Sequence, residues 1–183
     1  MDFVITDDTR FDENKRLFSE RRICVPRERL RPNLALDTTL CYRLAAEYLN
    51  ALEQAGGLLM KVHVVSDGIE IRLRGVGLAL KFGPGEPQVT EQRASICWPI
   101  IGGWALDRGV GDGGTFTVGA EWDEARQRLT IFTRIEAYPS AVAGAKAPRL
   151  RRLAYRLTQQ RVHVYYTNRF LLEAAREVTE EDY

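Results

Sequence analysis

The feature that most constrains this chain is a change of hydrophobic period just after residue 57. From Leu40 to Leu52 the apolar positions follow a helical repeat: Leu40, Leu44, Tyr48 and Leu52, widened by Ala45 and Leu49. Asp37-Thr38-Thr39 offers an N-cap and Gly56-Gly57 a stop, so a helix is expected over residues 37–55. From Leu58 onward the period is two. Leu58, Met60, Val62 and Val64 share one face, with Lys61 and His63 on the other. After Asp67-Gly68, a strong hairpin signal, Ile69, Ile71 and Leu73 alternate with Glu70, Arg72 and Arg74. Antiparallel strands with one wet side read this way.

The alternation persists. Leu78, Leu80 and Phe82 form a further strand, and another is expected from Val89 to about Trp98. Phe116, Val118, Ala120 and Trp122 alternate with Thr115, Thr117, Gly119 and Glu121. Leu129, Ile131, Thr133 and Ile135 alternate with Thr130, Phe132, Arg134 and Glu136. The expectation is a meander of six or seven antiparallel strands without an intervening helix. Pro148 then opens a long C-terminal helix, with Leu150, Leu157, Val164, Leu171 and Val178 seven residues apart. Residues 1–34 carry too few apolar groups for a core of their own. They are read as an N-terminal arm lying on a single α+β domain of residues 35–183, with a short helix around Phe11, Leu17 and Phe18.

Helix, meander and terminal helix over about residues 37–178 resemble, in element order, the helix-grip arrangement of START/Bet v 1-like proteins. No residue motif carries the resemblance, and the early helix sits differently from the two short helices those proteins often insert between their first strands. The alternative is a small lipocalin-like β-barrel with an external helix. The resemblance implies binding of a small apolar or amphipathic ligand between sheet and terminal helix, with little or no catalysis.

Composition excludes several classes. In 183 residues, 26 Lys and Arg balance 25 Asp and Glu, so no overall field points to nucleic acid or membrane. The hydrophobic share of 45% is that of a folded globular chain rather than a disordered one. No run approaches a membrane span, and the acidic start Met1-Asp2 lacks a signal-peptide core. Cys24, Cys41 and Cys97 fit reduced thiols, and a cytoplasmic location is expected. His63 and His163 have no metal-ligand spacing, and no nucleophile–base pair stands out. No cofactor is expected. The string Gly109-Val110-Gly111-Asp112-Gly113-Gly114 precedes a strand pattern, whereas dinucleotide binding needs a helix there.

Candidate ligand contacts are residues that give a sheet–helix site aromatic wall and polar handles. They are Trp98, Trp104, Phe116, Trp122, Phe132 and Tyr166, with His63, Arg72 and Arg134. An alternative function is a macromolecular module whose Arg149, Arg152 and Arg156 face an anionic partner, nucleic acid or a membrane surface. Either a monomer or a homodimer is compatible with this reading.

Overall fold

The fold is that of a computed structural model, which describes residues 3–14, 16–106, 112–140 and 159–179, with side chains of the last segment from residue 164 onward. Among these residues it is α+β, an open antiparallel sheet of nine strands with two α-helices packed on one face. The strands are β1 (Ile5–Phe11), β2 (Leu17–Pro26), β3 (Met60–Val65), β4 (Gly68–Leu73), β5 (Gly77–Phe82), β6 (Glu86–Thr90), β7 (Arg93–Gly102), β8 (Thr115–Asp123) and β9 (Arg128–Tyr138). Helix α1 (Thr38–Gly56) lies between β2 and β3, and α2 (Gln159–Val178) follows β9. This order is consistent with a helix-grip-like fold.

Sheet order is β1-β2-β9-β8-β7-β5-β4-β3. The first half of β7 pairs with β6 and its end with β5, so one long strand serves two shorter ones along the same edge. The ladder does not close on itself: β1 and β3 are its two ends. That corrects the alternative of a closed lipocalin-like barrel.

The largest departure from the sequence reading is at the N-terminus. Residues read as an arm with a short helix form the β1–β2 hairpin, and β2 runs inside the sheet between β1 and β9. The strand count rises accordingly. Helical spacing of Phe11, Leu17 and Phe18 was misleading because Leu17, Ile23 and Val25 take one face of a strand, with Arg21 among them. Arg21 is accommodated by an ion pair with Asp7 of β1 and a 2.7 Å hydrogen bond donated to Asn168 of α2.

Helix α1 begins where Asp37 accepts a hydrogen bond from Leu40 N–H at 2.8 Å. It ends at Gly57, whose φ of 51° lies in the left-handed region. Its buried stripe, Leu40, Leu44, Tyr48 and Leu52, packs with Phe170, Leu171, Ala174 and Val178 of α2 on the sheet residues Ile23, Ile96, Val118, Ala120 and Ile131. The chain leaving β2 reaches the end of α2: Leu30 bridges Thr179, and Arg31 N–H donates to Val178 O at 3.0 Å.

Candidate functional site

Between the sheet and both helices lies a continuous aromatic layer. Strand parity turns Trp98 of β7 and Phe116 of β8 toward the helices, as cross-strand neighbours in the ladder. Their rings stack with centroids 5.9 Å apart. Phe82 of β5 joins Phe116 at 5.9 Å. Tyr48, at the middle of the α1 stripe, meets Phe116 at 4.8 Å and, edge-on, Phe170 at 5.5 Å and Tyr166 at 5.8 Å. These separations are those of favourable aromatic contact.

Inside this apolar wall sit two phenols. Tyr48 Oη donates to Tyr166 Oη across 3.4 Å. Burial pushes the Tyr48 phenol well above its ordinary value, and the Tyr166 hydroxyl adds to the effect. Tyr48 therefore keeps its proton at neutral pH and acts as a hydrogen-bond donor, not as a base. Burial also raises the Cys41 thiol on the same helix, which leaves it a poor nucleophile. The layer is thus an apolar wall of packed rings with two hydroxyls buried in it.

Next to the layer, α1 and α2 share a charged contact. Arg43 lies 3.0 Å from Glu177, and Oε2 of Glu47 is buried without a hydrogen-bond partner. Burial, aided by Glu177, pushes the Glu47 carboxyl up to about 8, with Arg43 acting in the opposite direction.

The candidate contacts from sequence divide. Trp98, Phe116 and Tyr166 come together in the aromatic layer. Phe132 and Arg134 do not: they belong to the opposite face of the sheet, where Phe132 is only 1% exposed. Its ring lies under two guanidinium groups, Arg134 at 4.9 Å and Arg93 at 5.2 Å, and Arg134 donates to Glu20 at 2.5 Å. Trp122 is half-buried at the far end of β8, with Arg27 5.6 Å over its ring. His63 and Arg72 are exposed on β3 and β4, Arg72 being held by Glu70 at 2.8 Å, and Trp104 is exposed after β7. None of these six lines the same site as Trp98. Arg149, Arg152 and Arg156 lie outside the described residues, as does the His163 side chain.

Tyr48, Phe82 and Phe170 are the members that sequence reasoning did not nominate. Each sits on an apolar stripe and there looks like ordinary core. What singles out Tyr48 is a hydroxyl at the centre of that stripe, which needs a partner once buried.

Among the described residues no group of three or more His, Cys, Asp or Glu is placed to hold a metal ion, and no helix is long and apolar enough to cross a membrane. The tail of the glycine string, Gly113-Gly114, leads straight into β8. No family model and no curated protein matches the chain. Among solved structures it is similar to the crystal structure of CalU16 from Micromonospora echinospora, at 9% identity over 97% of this chain and 93% of that one, with a TM-score of 0.26.

Proposed function

We propose that this protein binds a small, largely apolar molecule at the aromatic layer between the sheet and its two helices, without chemical conversion. The observation that carries the reading is the Tyr48–Tyr166 hydroxyl pair at 3.4 Å. An apolar wall with a few convergent polar groups is the usual composition of a small-molecule site. A ligand of this class would lay a ring or chain against Phe116 and Trp98 and take one hydrogen bond from a phenol through a carbonyl or hydroxyl oxygen. The polar ties of α2 to β2 and α1 would hold the helix over it.

Trp98 is the natural reporter. With Trp104→Phe and Trp122→Phe removing the other indoles, its emission can be followed while naphthyl ketones, long-chain alcohols and polycyclic phenols are titrated. The expected result is a saturable change with at least one class, weakened about tenfold by Tyr48→Phe, the worth of one hydrogen bond. If no member of the panel changes Trp98 emission or raises Tm, the layer is ordinary core and the reading fails.

A further inference from the structure

We infer that the chain forms a two-fold dimer through strand β3, whose open edge pairs antiparallel with β3 of a second copy. Among the described residues the sheet has other unpaired strand edges, and they are blunted. β1 carries Asp7, Asp8 and Arg10, while β6 is five residues long and contains Glu86 and Pro87. Short, charged or proline-bearing edges resist pairing. β3 has no proline and its register with β4 is unbroken from Met60 to Val65. Its one lysine, Lys61, lies 3.5 Å from Glu53 of α1.

The ladder determines which groups are open. Arg74 N–H donates to Leu59 O at 2.8 Å, so Leu59 turns its backbone groups toward β4. By the alternation of an antiparallel ladder, Lys61, His63 and Val65 do the same, and Met60, Val62 and Val64 direct N–H and C=O outward. The outward hydrogen-bonding set is thus wholly apolar, while Lys61 and His63 fall in the other. Val64 is 76% exposed, and Leu58 and Leu59 beside the strand are 79% and 71% exposed. Exposed apolar side chains on an unprotected edge are the mark of a pairing surface.

A second copy fits this edge in one register better than in its neighbours. A dyad at Val62 pairs Val62 with Val62 and Met60 with Val64, each through outward-facing groups, and brings Leu58 opposite Ser66. A dyad at Lys61 would set two lysines directly opposite one another, which is destabilising. A dyad at His63 would leave Met60 facing Ser66. With the dyad at Val62, Lys61 stands across from His63 of the second copy.

Sedimentation velocity on the full chain over a wide concentration range tests this, with two variants. Wild type is expected to dimerise. Val64→Lys, at an exposed position, should be monomeric, with the melting temperature that wild type shows at concentrations where its own dimer is dissociated. His63→Lys, which sets lysine against lysine across the dyad and leaves Glu70 as partner within the chain, should weaken the dimer about tenfold. A wild type that stays monomeric at several hundred micromolar, or a dimer that survives Val64→Lys, overturns the proposal. A dimer lost in Val64→Lys but unaffected by His63→Lys overturns the register.

Discussion

Phe132 of β9 lies directly across from Gly119 of β8, on the sheet face opposite α1 and α2. Glycine there is required by the next strand: a Cβ on residue 119 would stand 2.4 Å from Ser95 Cβ and 2.7 Å from Ala94 O. The Phe132 ring on the facing position is roofed by the guanidinium groups of Arg93 and Arg134 and is only 1% exposed. Phe132→Ala should therefore cost about 3 kcal/mol in urea unfolding although the residue is remote from the main core. Gly119→Ala should also destabilise, while Phe132→Leu retains much of the burial and costs less. A loss below 1 kcal/mol for Phe132→Ala would show that the guanidinium roof does not depend on the ring.

The Glu47 carboxyl links stability to pH. Its folded value near 8 stands above an unfolded value of about 4.3, so folding takes up a proton between those limits. The associated stability is fully present below the unfolded value and is lost as pH rises through about 8. Glu47→Gln removes the titration. Relative to wild type the variant should gain stability between pH 5.5 and pH 8.5, measured as the shift in urea midpoint at each pH. An equal difference at both values would rule out this carboxyl as the source.

Arg21 ties the hairpin to the last helix through Asp7 and Asn168. Arg21→Met and Asn168→Ala should each cost about 1–3 kcal/mol, since each leaves a half-buried polar group short of a partner. In a double-mutant cycle the two should couple. Amides of α2 should exchange faster in both variants than those of α1. Strict additivity would show that the bond carries no energy.

Asp37 tests the start of α1. Asp37→Ala removes the acceptor for Leu40 N–H and should cost about 1 kcal/mol, whereas Asp37→Ser should retain most of it. A thermal shift of less than 1 °C for Asp37→Ala would indicate that water replaces the cap.

The parts of the fold legible in the sequence are those whose signals are local. The Asp37 cap and the Gly57 stop bound α1 within a residue, and Asp67-Gly68 marks the β3–β4 turn. Alternation along β8 and β9 separated Phe116 from Thr117 and Ile131 from Phe132. It did not show that Phe132 would be buried, because one of the guanidinium groups that cover it, Arg93, comes from β7, two strands away. β2 was missed for a similar reason. Arg21 on its inner face breaks the apolar pattern, and the residues that make it tolerable, Asp7 and Asn168, lie on other elements. Tyr48 was visible as a stripe residue, but its pairing with Tyr166 spans 118 positions, a relation that no local period encodes.

The pairing of β2 with β9 has a consequence for the order in which the protein can be made. Cys24 faces Thr130, so the hairpin that starts the sheet must wait for a strand made more than a hundred residues later. During synthesis at about 5–20 residues per second, that interval lasts roughly 5–20 seconds. Through it the apolar side chains Ile23 and Val25 have neither β9 nor α2 to cover them. Such non-local closure slows folding and leaves an exposed edge open to wrong partners. For this chain the vulnerable period is therefore birth rather than maturity, and a chaperone's hold on the nascent hairpin should matter more to yield than the stability of the finished sheet.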